Sequence, residues 1–151
     1  MEALERSREH VIGLFRIVIG LLFACHGAAT LFDVLGGPRG AGPGFAEWPG
    51  WWAAAVQLLG GALVLCGLGA RAAAVLCSGS MAYAYFTEHQ ADALFPIENG
   101  GEPAAMFCWS FLLIAAIGPG RWTLTPLLRL RRRVDARRIG TPSLHREAGA
   151  P

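Results

Sequence analysis

The sequence predicts an all-α fold, a four-transmembrane-helix bundle with both termini cytoplasmic. Three observations predict it. Apolar residues make up 54% of the chain and charged residues only 16%, where an ordinary soluble domain is about a quarter charged. The apolar residues fall in four blocks, and mean hydropathy is +0.42. The arginines alternate in density between the connections that join those blocks. The 151 residues are one domain's worth. They divide into a cytoplasmic N-terminus (1–10), a membrane domain (11–125) and an Arg-rich cytoplasmic tail (126–151) expected to be disordered.

Block one runs from about Val11 to Leu35 and is interrupted by Arg16, His26 and Asp33. It exceeds the ~20 helical residues that span a ~30 Å hydrocarbon layer. Arg6 and Arg8 would suit a signal peptide. Arg16 inside the apolar run, and the lack of a small-x-small cleavage site after it, favour a retained helix. Block two, Trp51 to Gly69, is adequate for a span. Block three, Ala72 to Phe86, and block four, Ala104 to Ile117, are short unless flanking residues join them. The competing reading is a soluble bundle of very apolar helices. Soluble helices carry a polar face at every turn, and block four has only Ser110 as a polar side chain.

Orientation follows from arginine placement in short connections. Arg6 and Arg8 precede helix one, Arg71 fills the turn between helices two and three, and Arg121 with RLRRR (129–133) follows helix four. The other two connections carry Arg39 alone, or Glu88, Asp92, Glu98 and Glu102 with no Arg. Trp48, Trp51 and Trp52 then mark the outer interface and Trp122 the inner one. GGPRGAGPG (36–44) is too rich in Gly and Pro to be helical. Pro103 and Glu102 suit the start of helix four.

Small residues predict close helix packing. Gly13, Gly20 and Gly27 recur every seven residues, helix two offers Gly60, Gly61 and Gly67, and helix three has Ala70, Ala74, Ser78 and Ala82. Arg16 and Gly27 lie eleven residues apart, within ~20° of one helix face. Arg16 thus points along the packed side. Either it snorkels to the cytoplasmic surface, or it binds an anionic or carbonyl group inside the bundle. His26 lies nearer the outer surface, with Gln57 in helix two and Glu102 at the start of helix four as its expected partners. An intramembrane ionisable group tends to mark a site; a neutral imidazole bonding a neighbouring helix is the blander reading. Cys25, Cys66, Cys77 and Cys108 all fall inside predicted helices without a CxxC, so they read as packing residues. No Walker loop, dinucleotide fingerprint, zinc-spaced cluster or serine triad is present, and no metal site is expected. The net charge of +2 gives no reason to expect nucleic acid.

Taken in order, these residues resemble the DoxX family of small bacterial four-helix membrane proteins. The marks are Arg16, His26-Gly27, Gly60-Gly61 and Gly67, Arg71, Asn99-Gly100-Gly101-Glu102, and Gly118-Pro119-Gly120 with Trp122, over about residues 10 to 125. One departure is Gln57, where relatives often carry Glu. The resemblance implies a multi-pass protein of the bacterial plasma membrane, in contact with the lipid bilayer. Some relatives are linked to quinone-coupled sulfur oxidation or to redox-protective assemblies. On that basis one reading is a redox membrane subunit. It would hold a quinone, with His26 and Glu102 as catalytic proton-handling groups and Arg16, Gln57 and Asn99 binding the ligand. A redox protein partner would supply electrons, and the chain would be free to form oligomers. The other reading is a non-catalytic scaffold, assembly factor or small-molecule permeation protein.

Overall fold

A computed structural model describes residues 2–37 and 42–125. Arg39, the RLRRR run and the polar tail lie outside the described residues. Every element among the described residues is helical.

Helix α1 spans Glu2–Phe32, 31 residues. Residues 2–10, expected as a separate N-terminal segment, are continuous with it. Their sequence explains this: EALERSREH is rich in good helix formers. Arg16 is therefore about four turns from the helix start. Helix α2 is Gly50–Cys66. It ends at Gly67, whose left-handed φ of 70° lets Gly67 and Leu68 donate back to Val64 and Leu63, satisfying carbonyls that the helix leaves open. Helix α3 is Ala70–Ala84 and runs without a break into a π-helical turn, Tyr85–His89. A single turn, α4 (Pro96–Asn99), precedes α5 (Glu102–Ile117), which has Pro103 in its first turn as the sequence predicts.

α1 packs chiefly on α2, α2 also on α3, and α3 on α5, while α1 and α5 touch more lightly. Glycine sets these distances. A Cβ on Gly20 would stand 2.6 Å from the Leu65 nitrogen, and one on Gly61 2.6 Å from that of Ala24. The two backbones are therefore in contact, and neither position has room for a methyl group. Gly60, one residue along, faces the Cys77 thiol of α3 instead. The glycine pair thus gives α2 two close faces about 100° apart. Behind them Phe23, Val64, Ala74, Cys77, Met81, Phe111 and Ile114 form the core.

The outward faces are apolar. Leu21, Leu59, Leu76 and Trp109, one on each principal helix, are all exposed. The stretch Ser7–Phe32 is long and apolar enough to cross a membrane. Gly50–Cys66 and Glu102–Ile117 are apolar but shorter, about 25 Å at 1.5 Å per residue. The flanks of block three do join it, since the π turn carries the helix on to His89.

Candidate functional site

The ionisable residues predicted within the helices separate into two places. Arg16 lies in the first and is fully buried, at 0% exposure. Gly13, Arg16, Gly20, Phe23 and Gly27 are all buried and form the α1 seam that the spacing predicts. The Arg16 Nε donates to the Pro119 carbonyl at 2.8 Å. Its Nη1 donates to Val64 at 2.6 Å and to Leu65, and its Nη2 to Arg121 at 3.2 Å and Trp122 at 3.1 Å. The guanidinium fork thus closes the C-terminus of α2, where the dipole is negative, donating to Leu65 and adding a second donor to the Val64 carbonyl that Gly67 already reaches. It also holds the segment after α5 in place.

That segment is pinned from three more sides. The Arg121 nitrogen donates to Glu9 at 3.3 Å and the Leu124 nitrogen to Cys66 at 3.0 Å. The Thr125 hydroxyl donates to Gly67 at 2.6 Å. Gly13 allows the approach, since a Cβ there would meet the Arg121 oxygen at 2.8 Å. Arg71 repeats the device at the C-terminus of α5. Its Nη1 donates to Ala115 at 3.1 Å and Ala116 at 3.3 Å, and its Nη2 to Ile117 at 3.3 Å. Of the two sequence readings of Arg16, the carbonyl-binding one matches this geometry, and the carbonyls are the protein's own. Snorkelling to the surface does not fit a fully buried guanidinium.

The second place is a cavity of about 250 Å³ at the opposite end of the α1–α5 seam. Phe23, Met81, Ala84 and Phe107 give it an apolar wall, and His26, Gln57 and His89 give it polar groups. His26 and Gln57 arrive there through glycine. A Cβ on Gly27 would collide with the Ala54 oxygen and Leu58 nitrogen, so α1 and α2 touch at that level. The residues beside this contact, His26 and Gln57, then face one opening. Gly100 and Pro103 form its rim. Glu102, next to Pro103, is exposed and is not part of the lining.

Asn99 is buried beneath the cavity. Its Nδ2 donates to the Ala93 carbonyl at 2.9 Å and to the Tyr85 hydroxyl at 3.5 Å. Its Oδ1 accepts from the Gly101 nitrogen at 2.8 Å. The side chain is spent on holding the α4–α5 turn. The Asn99 main-chain carbonyl in turn lies 3.1 Å from His89 Nδ1.

Sequence reasoning did not single out His89. On a uniform helix, the buried positions Cys77 and Met81 with cavity-lining Ala84 lead next to residue 88. The π turn adds one residue, closing a bond from the Gln90 nitrogen to the Tyr85 oxygen. His89 takes the inward place, and Glu88 is exposed. π turns are rare and recur at functional sites.

Three other openings lie among the described residues; one of about 310 Å³ is lined by Ser80, Tyr83, Thr87 and Glu88 beside Pro49, Gly50, Ala53 and Ala84, and the remaining two are more apolar. One, of about 230 Å³, lies between Phe15 and Ile114 on the far side of the edge-to-face pair Phe23–Phe111 (centroids 4.6 Å apart). The other is a groove of about 400 Å³ along Trp52, Val56, Val75, Leu76 and Tyr83. The four cysteines are free thiols, and Cys108 sits beside the Ser78 hydroxyl at 3.5 Å. Among the described residues no group of three His, Cys, Asp or Glu is placed to hold a metal ion.

Comparison with known proteins adds three findings. The family model described as DoxX matches residues 11–90, a span that includes Arg16, His26, Gln57, Arg71 and His89. A Haemophilus influenzae protein whose printed name is "Uncharacterized protein" is 33% identical over 127 residues, covering 82% of this chain and 95% of that one. No solved structure matches.

Proposed function

Because the chain belongs to the DoxX family, and so is a membrane protein, we propose that it is a multi-pass plasma-membrane subunit of a redox system. In this reading it holds the head group of a quinone in the His26–Gln57–His89 cavity. The observation that carries the reading is the convergence of three polar side chains, from α1, α2 and the π turn, on one otherwise apolar cavity. That is the usual composition of a small-molecule site. The residues fit the group. Phe23, Phe107 and Met81 offer flat or polarisable surface to a ring, and the His26 ring and the Gln57 amide can donate hydrogen bonds to ring oxygens. At about 250 Å³ the cavity suits a head group alone, and an isoprenoid tail would lie along the apolar outer faces of the helices.

A bound quinone would supply electron and proton carriage. The chain's own residues bind and orient. Gln57 and His26 hold the head, with Arg16 and Asn99 acting at one remove by fixing the helix ends and the turn. His26 moves protons at its ring nitrogens, exchanging them with water by way of Glu102 at the open end. A partner protein delivers the electrons. In orientation, the Arg16–Arg71 end faces the cytoplasm together with both termini. The arginine distribution supports that assignment.

Native mass spectrometry of the chain extracted in mild detergent from its own membranes tests the proposal. The expected result is a co-purifying mass equal to a quinone or its quinol, retained in Arg71→Gln and lost in His26→Ala. A bound protein with no small ligand would replace this reading with a scaffold or assembly factor. The larger apolar groove along Trp52 and Tyr83 favours that second reading. Proton handling predicts further that Glu102→Gln slows turnover and leaves ligand retention unchanged.

A further inference from the structure

We propose that His89 is the hydrogen-bond acceptor of the cavity, so that the site selects a ring bearing a free hydroxyl over the same ring with its oxygen capped or present as a carbonyl. The proposal rests on the reading of this cavity as a ring-binding site and adds the polarity of that site.

The argument begins with the tautomer. His89 Nδ1 lies 3.1 Å from the Asn99 carbonyl oxygen, and a carbonyl only accepts. Nδ1 therefore carries the hydrogen. In the neutral ring Nε2 is then an acceptor with a lone pair. The ring lines the cavity and its one other polar atom is spent, so Nε2 is the group left for a ligand.

The carbonyl that sets this tautomer cannot easily turn away. The Asn99 side chain is held by Ala93, Tyr85 and Gly101. A Cβ on Gly101 would come within 2.7 Å of Asn99 Oδ1 and 2.8 Å of the Tyr85 ring, so the turn is closely packed. The π turn supplies the other half of the device. It puts His89, rather than Glu88, on the inward register. His26 and Gln57 do not define a polarity, because a neutral imidazole and an amide each present both a donor and an acceptor. His89 does. A hydroxyl hydrogen meets its lone pair. An ether or carbonyl oxygen would set lone pair against lone pair and leave an acceptor unmet.

The test compares two redox-inert probes, para-propylphenol and para-propylanisole, which differ by one methyl on the oxygen. Equilibrium binding to the full chain in nanodiscs is measured alongside the nitrogen NMR of 15N-labelled histidine. The expected result is that the phenol binds about tenfold more tightly, the order of one unmet buried acceptor. It also moves the unprotonated Nε2 resonance that is missing from His89→Phe, and the anisole does not. Equal affinity for the two probes overturns this inference and leaves the ring-binding reading standing. Binding of neither probe overturns both. A phenol preference that persists in His89→Phe and is lost in Gln57→Leu also overturns it, since the selectivity would then belong to Gln57. Should His89→Phe fail to fold, the two probes and the resonance in the unmodified chain still decide.

Discussion

At one end of the molecule Arg16 and Arg71 close the C-termini of α2 and α5, and every bond they make runs to a main-chain carbonyl. At the other end His26, Gln57 and His89 surround open space. Both ends carry polar groups within apolar helices. A charge in a membrane helix is costly and therefore draws attention as a functional residue. Arg16 shows the limit of that rule. Its cost is offset by carbonyl acceptors at the end of α2 and in the segment after α5. The weaker polar groups, two imidazole rings and an amide, are the ones left beside a cavity. In this chain the strength of a polar group on an apolar helix says less about function than whether its hydrogen bonds are already made.

Breaking the first end is expected to cost the fold. Arg16→Met removes five hydrogen bonds to carbonyls, one of which, Val64, still accepts from Gly67, and the loss should exceed about 3 kcal/mol, as for other broken buried charge networks. Thermal unfolding in detergent, or the yield of folded protein, measures it. Arg16→Lys should recover little, since an ammonium lacks the planar fork. A stable, folded Arg16→Met protein would remove the distinction between the two ends.

Next in size is the helix contact that supports both ends. Gly61→Val places side-chain atoms against the Ala24 nitrogen and Gly20 oxygen, backbone that cannot step aside. The expected destabilisation is about 2–3 kcal/mol, seen as a lower melting temperature.

Perturbing the second end should cost binding and spare the fold. Gln57→Leu removes a half-buried amide that lines the cavity. Stability should stay within about 0.5 kcal/mol, while affinity for para-propylphenol falls several-fold. A melting temperature that drops as far as in Gly61→Val would instead make Gln57 part of the packing.

The smallest effect sharpens the role of the π turn. Phe86 is exposed within it. Deleting Phe86 returns the turn to α-helical register and keeps His89 inward, because one residue is lost between Tyr85 and His89. The protein should fold with equal or slightly greater stability and keep its preference for the phenol. Loss of the preference would mean that the wide turn shapes the cavity as well as setting the register.

Much of the scaffold was legible in the sequence because it depends on local spacing. Gly13, Arg16, Gly20, Phe23 and Gly27 fall on one face of any α-helix, and they form the buried seam. Pro103 opens α5 and Gly118 ends it where the sequence places them, while Gly67, expected within helix two, ends α2. That Gln57 and His26 could line one cavity was also open to anticipation, since His26 precedes Gly27 and Gln57 lies one turn before Gly60. Glu102 was expected in the same pocket from its position at the start of α5, but its side chain faces outward there. Asn99 was expected to offer its amide to a ligand, and the amide holds the α4–α5 turn instead.

The sequence by itself determined the helical class, the seam of α1, and the presence of unusual polar groups within apolar helices. The periodicity of a uniform helix and the conformational limits of Gly and Pro are properties of short stretches. Only the tertiary structure decided what those polar groups do. The partners of Arg16 lie 48 to 106 residues away along the chain, and no local pattern encodes which carbonyls will be short of a donor. His89 faces the cavity because one added residue in the π turn shifts every later position by about 100°. A 3.6-residue count points to Glu88 at that place. The hydrogen on His89 Nδ1 is set by the Asn99 carbonyl ten residues on, brought near by packing of the turn that Asn99 itself holds.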